Sequence, residues 1–203
     1  SGSAATMLRQ VGSTSNAWGV AADTREDWMR DRDIPLARNV KEFDVLLWVG
    51  CAGATDPGAV KTTQATAELL KSAGVSFACL GREELCTGDS ARRVGDEFLF
   101  QEMVQQNLAV LGQYSFKRIV APCPHCLNTL LNEYPDFGGK FEVVHHTQFI
   151  QELIATAKLR PADNEKITYH DPCYLGRVPN EQEAPRNLLR RRDLLAEPEH
   201  HGK

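Results

Sequence analysis

Apolar residues in this chain fall into short continuous runs that alternate with stripes at helical spacing. Val45-Leu46-Leu47-Trp48-Val49 is apolar at every position, which predicts a strand buried on both faces. Ala65, Leu69 and Leu70 then recur as one side of a helix over about 59–73, closed by Gly74. Val75-Ser76-Phe77-Ala78-Cys79-Leu80 predicts a second strand. Phe100, Val104, Leu108 and Leu111, extended by Val94 and Phe98, stripe a long helix over about 91–111 that Asp89 or Ser90 can cap. A third strand, Arg118-Ile119-Val120-Ala121, leads into a helical pattern at Leu127, Leu130, Leu131 and Tyr134. Phe141 to His145 reads as strand four, about 147–158 as a helix, Lys166 to Tyr169 as strand five, and about 185–195 as a last helix. This alternation predicts an α/β fold, a mostly parallel sheet of about four to five strands flanked by helices.

Residues 1–41 lack a sustained period and read as an extended lead-in or linker, with Trp18 and Trp28 packed as anchors. The main domain spans 42–182, and 183–203 reads as a C-terminal helix with a frayed tail. Hydrophobic content of 42% and charged content of 25% are those of an ordinary globular protein. A net charge of −4 argues against a basic nucleic-acid-binding field. The longest apolar run, Val45 to Val49, is too short to span a bilayer, and Ser1 to Ala5 carry no signal-peptide pattern. Six cysteines in a chain of 203 residues do not form a disulfide scaffold; they predict a reduced, cytoplasmic, metal-binding or redox protein.

Placement of the cysteines sharpens that expectation. Ligands in open α/β sheets bind beyond the carboxyl ends of the strands. Cys51 closes strand one, Cys86 follows strand two, Cys123 and Cys126 follow strand three, and Cys173 follows strand five. Cys123-Pro124-His125-Cys126 is a strand–turn–helix junction with Pro124 suited to the first helical turn. A helix start favours thiolate over thiol. Cys79, inside strand two, reads as a core residue. His125, His145, His146 and His170 end or flank the same edge and are expected more as hydrogen-bonding neighbours than as metal ligands. The Gly50-to-Gly53 turn lacks the third glycine of a dinucleotide loop. Cys51, Cys86, Cys123 and Cys126 suffice for a [4Fe–4S] cluster or for tetrahedral zinc, and Cys123 with Cys126 alone for a thiol–disulfide enzyme.

The chain resembles the cysteine-rich CCG domain of iron–sulfur oxidoreductases, whose pattern is Cys, thirty-odd residues, Cys-Cys-Gly, about thirty-five residues, then Cys-x-x-Cys. Here thirty-four residues separate Cys51 from Cys86-Thr87-Gly88, and thirty-four more precede Cys123. Glu83 to Arg93 and His170-Asp171-Pro172-Cys173-Tyr174-Leu175-Gly176-Arg177 are also similar to the family. Its members include a subunit of heterodisulfide reductase and the glycolate oxidase iron–sulfur subunit. The chain is most similar to the large membrane-linked members that take electrons from flavoproteins and pass them toward quinone. The resemblance implies a cytoplasmic electron-transfer subunit, held at the inner face of the membrane through partners, that needs a flavoprotein donor and a further iron–sulfur or membrane module for turnover. A zinc-stabilised interaction domain of such a complex is the alternative. Thr87 replaces the second cysteine of the pair, so a four-thiolate cubane is expected, with Thr87, His125 and His170 around it. Cys173 is a candidate additional ligand, or the opening cysteine of an incomplete second motif, which makes the chain resemble one half of a larger subunit. The Arg190 to Arg192 run reads as a solvated helix face, with an acidic partner as the alternative.

Overall fold

Four short apolar segments form the sheet: Val45–Leu47 (β1), Phe77–Ala78 (β2), Arg118–Ala121 (β3) and Val143–His145 (β4). They pair in parallel in the order β2-β1-β3-β4. The computed structural model describes residues 2–160, 166–178, 181–190 and 195–196. Side chains alternate across the strands, so each face feeds its own core. Leu46, Trp48, Ile119 and Ala121 pack with Phe100, Val104, Leu127, Leu130 and Tyr134 on one face. Val45, Leu47, Val49 and Val120 pack with Ala67, Leu70, Phe149 and Leu153 on the other. Burial on both faces is why these strands read as unbroken apolar runs rather than alternating ones.

The helices are α1 (Gly2–Thr14), α2 (Ala37–Val40), α3 (Gly50–Thr55), α4 (Pro57–Ser72), α5 (Asp89–Arg93), α6 (Glu97–Leu111), α7 (Pro124–Asn128), α8 (His146–Ala155), α9 (Cys173–Arg177) and α10 (Glu183–Arg190). Helix α4 starts where Asp56 accepts from the N–H groups of Gly58 and Ala59, with Pro57 in its first turn.

Several elements depart from the sequence reading. The helix expected over 91–111 is two helices, because Gly95 takes φ +91° and Asp96 starts a new one by accepting from the Leu99 N–H. Val94 and Phe98 consequently do not extend the buried stripe; Phe98 is 85% exposed. Strand five, Ile167–Thr168 (β5), does not join the sheet; it pairs in parallel with Leu195–Ala196 (β6) in a separate two-stranded ladder. The last helix is described over Glu183–Arg190, and the rest of its expected span, including Arg191 and Arg192, lies outside the described residues, as do 197–203.

Residues 2–14 are helical, and Ala22–Met29 is a 3-10 helix. Trp28 is buried as expected, whereas Trp18 is exposed and anchors nothing. The segment is held by charge as well as by packing. Glu26 accepts from Arg38 at 2.6 and 3.1 Å and from the Arg82 N–H at 3.0 Å. Arg25 runs into the interior.

Candidate metal centre

Parallel order β2-β1-β3-β4 means the chain leaves β1 for β2 on one side and reaches β3 on the other. The crevice beyond β1 and β3 is therefore a topological switch point, the place where open α/β sheets bind their ligands. Cys51 follows β1 in the first turn of α3, and Cys123 and Cys126 follow β3 around the start of α7. Cys86 follows β2. Cys123 stands just outside α7 with Pro124 as its first residue, as the sequence predicts.

Two glycines bring these segments together. Gly50 has φ +76°, and a Cβ there would sit 3.4 Å from the Cys126 sulfur. Gly88 has φ +86°, and a Cβ there would lie 2.8 Å from Phe100 Cδ2, which excludes a side chain. The Gly88 N–H can then donate to Cys86 Sγ at 3.4 Å. The Gly50-to-Gly53 segment is thus part of the thiol site and opens a helix.

The thiols influence one another most strongly in two pairs. Cys51 pulls the Cys86 pKa down to about 7, helped by the Gly88 N–H, Arg25 and Ser90 against the cost of burial. Cys51 is pushed up by the same pairing, and then by burial. Cys126 likewise pulls down the pKa of Cys123, to about 6, with the N–H groups of Cys126 and His125 assisting. Cys126 is pushed up correspondingly, by Cys123 first and burial second. The pairs also feel each other: Cys123 raises Cys51, and Cys51 and Cys86 raise Cys126. Among the described residues, no three His, Cys, Asp or Glu side chains converge as ligands of a single metal ion.

The other residues singled out from the sequence take distinct places. Cys79 is fully buried beside the opposite face of the sheet, in the core as read, with its thiol pushed up by burial. The buried Thr87 hydroxyl lies 4.0 Å from the Cys126 sulfur. Half-exposed His125 is bonded through Nδ1 to Asp89 at 2.8 Å, which raises its pKa. His145 is buried, with Nε2 donating to the Pro122 carbonyl at 3.0 Å and Nδ1 accepting from Thr147 at 2.7 Å. His146 starts α8, and burial pushes its pKa down to about 3. His170 and Cys173 are exposed beyond β5, off the four-stranded sheet.

Sequence reasoning missed the groups that hold the site in shape. Buried Glu84 accepts from the N–H groups of Val49 at 2.9 Å and Gly50 at 2.7 Å, so it orients the turn before Cys51. Burial raises its pKa, while Arg25 at 3.2 Å and these two N–H groups counter that rise. Asn107 donates to the Cys86 carbonyl at 2.9 Å and to Tyr134 Oη at 3.0 Å, and Tyr134 donates to the Thr87 carbonyl at 3.2 Å. A legible signal existed here: Asn107 is a polar residue on the apolar stripe of α6, between Val104 and Leu111.

The buried donors test whether an iron–sulfur group fits. Arg25 Nε, Trp48 Nε1, Ser90 Oγ and His146 Nδ1 lack a hydrogen-bond partner. Arg25 lies within electrostatic reach of Cys51 and Cys86. Ser90 lies against Cys86 without closing a well-formed bond. Trp48, in the apolar run before Cys51, packs in the core cluster that also contains Cys126. A buried donor without an acceptor costs about 1–3 kcal/mol. Four thiols at one sheet edge, with the unpartnered Ser90 hydroxyl beside Cys86, make a donor set that fits a thiolate-bound iron–sulfur group.

A cysteine-rich domain model, CCG, matches residues 45–131. The chain is 43% identical over 182 residues to an EtfAB:quinone oxidoreductase of Syntrophomonas wolfei, covering 86% of this chain and 26% of that protein. It is 44% identical to a probable iron–sulfur-binding oxidoreductase of Bacillus subtilis, covering 86% and 26%. It is 34% identical to a subunit of the dihydromethanophenazine:CoB–CoM heterodisulfide reductase of Methanosarcina barkeri, covering 72% and 37%. The chain thus spans about a quarter to two fifths of the length of these relatives. No solved structure matches it.

Proposed function

We propose that this chain, whose residues 45–131 match the CCG cysteine-rich domain model, is an electron-transfer unit holding one [4Fe–4S] cluster on Cys51, Cys86, Cys123 and Cys126. The observation that carries this is the placement of Cys51, Cys86, Cys123 and Cys126 at one switch point, where a Cβ on Gly50 would lie 3.4 Å from the Cys126 sulfur and 4.0 Å from Cys123 Cβ and the Gly88 N–H donates to Cys86. When bound, such a cluster supplies one-electron redox chemistry.

The chain's own residues hold and surround it. Glu84 and Gly50 set the Cys51 turn, Asn107 and Tyr134 set the Cys86 turn, and Pro124 starts the helix that carries Cys126. Thr87 stands where the family pattern has a second cysteine, and a hydroxyl is a poor ligand for iron beside thiolates. Its place near the Cys126 sulfur suits a hydrogen bond instead. The printed names of the relatives, an EtfAB:quinone oxidoreductase and a heterodisulfide reductase subunit, support a quinone- or heterodisulfide-type acceptor, and the proposal adds a flavoprotein-type donor and further modules at the inner face of the membrane. No helix among the described residues is long and apolar enough to cross a membrane.

Anaerobic reconstitution tests the reading. Brown protein with about four irons and four sulfides per chain is expected. Colourless protein that retains one tightly held zinc would replace it with the zinc-scaffold reading. A metal-free Cys123–Cys126 disulfide would replace it with thiol–disulfide chemistry.

A further inference from the structure

Arg25 is an unusual residue to find in a lead-in segment. It is 2% exposed, and its guanidinium reaches through the domain to two partners: Glu84 at 3.2 Å and the Ser15 carbonyl at 2.9 Å. Both contacts use its terminal nitrogens. Its Nε–H is buried and has no partner in the protein. Burying a guanidinium with a donor unmet is costly, and packing alone does not call for a cation here. The charge is held beside the Cys51–Cys86 pair by geometry, since its partner Glu84 stands two residues before Cys86 and binds the N–H of Gly50, the residue before Cys51.

Glu84 completes the arrangement. It takes one side of the guanidinium and also binds the N–H groups of Val49 and Gly50. The pair therefore links residues 15–25 to the backbone that presents Cys51. Fixed charges inside a low-dielectric site act far more strongly than at a surface.

We infer that Arg25 is a positioning residue of the metal centre, brought in by the lead-in segment, whose free Nε–H and buried charge serve the sulfur-rich group bound by Cys51 and Cys86 and raise its reduction potential. A cation beside such a site stabilises the reduced, more negative state. Glu84, as the counter-charge, opposes that effect. The inference rests on the iron–sulfur reading above.

The test uses the reconstituted full chain with arginine isotopically labelled at nitrogen. Hyperfine spectroscopy of the reduced wild type is expected to show an arginine nitrogen coupled to the cluster, and Arg25→Lys to lose it. In redox titrations, Arg25→Gln is expected to lower the ratio of reduced to oxidised protein at fixed potential by about tenfold, or 59 mV for one electron. Arg25→Lys should restore most of that shift, and Glu84→Gln should move the ratio the other way. A pair that merely held the fold would shift both charge-removing variants in the same direction, and that result would overturn the inference. So would a wild type that binds iron without any arginine coupling, a measurement that needs no variant to fold. A wild type that forms no iron–sulfur cluster would instead overturn the iron–sulfur reading itself.

Discussion

His125 lies flat on Tyr174, with ring centroids 3.7 Å apart and planes inclined by 26°. Asp89 joins the same pair, bonded to His125 Nδ1 at 2.8 Å and accepting from Tyr174 Oη at 3.4 Å. Three segments distant in sequence thus meet beside the Cys123–Cys126 turn, and α9 is fastened to the site through Tyr174 while Cys173 stays exposed. Removing the ring in Tyr174→Ala is expected to cost about 1 kcal/mol. The amides of 174–177 should exchange faster with solvent while iron content is unchanged; unaltered exchange would make the stack incidental.

Loss of any one of Cys51, Cys86, Cys123 or Cys126 to alanine is expected to abolish iron and sulfide binding. Cys79→Ala should retain both, because its sulfur fills the core on the other face of the sheet. That change should cost about 1–2 kcal/mol, read as a lower denaturant midpoint. Iron loss in Cys79→Ala would place that thiol at the metal.

With four thiolates and a threonine in place of the fifth, the cluster should be an ordinary cubane. Mössbauer and EPR spectra of the wild type and Cys173→Ala should coincide, as Cys173 is exposed off the sheet. A non-cubane signature that disappears in Cys173→Ala would show that Cys173 reaches the site.

Burial pulls the pKa of His145 down to about 4, against the hydrogen bond to the Pro122 carbonyl. Its unfolded value is about 6.5. The unfolded chain therefore binds more protons between those values, and stability falls as pH drops through that window. The stability advantage of wild type over His145→Gln should shrink by about 2 kcal/mol between pH 7 and pH 5 in urea titrations. A constant difference would mean that His145 is not held neutral.

The layered parallel sheet, and the edge of it that carries the chemistry, were already written in the sequence. Both follow from local rules: apolar runs that must be buried on two faces, and cysteines placed where those runs end. Cys51, Cys86, Cys123 and Cys126 were legible as a candidate set for the same reason, and Pro124 marked the start of its helix. Gly95 and Asp96, which break the long helix, were equally visible as a glycine and a capping residue, but the apolar spacing across them hid the break.

The rest was settled by the folded chain, because it depends on contacts between residues far apart in sequence. Strand five has the composition of a sheet strand, yet its partner is Leu195–Ala196, and nothing local dictates that pairing. The division of four thiols into the Cys51–Cys86 and Cys123–Cys126 pairs joins the first of them across thirty-four intervening residues. Arg25 and Glu84 are 59 apart in sequence and look like ordinary surface charges. Their burial is set by how the lead-in packs against the sheet edge, and only there does a cation come to stand, through Glu84, beside the turn that presents Cys51.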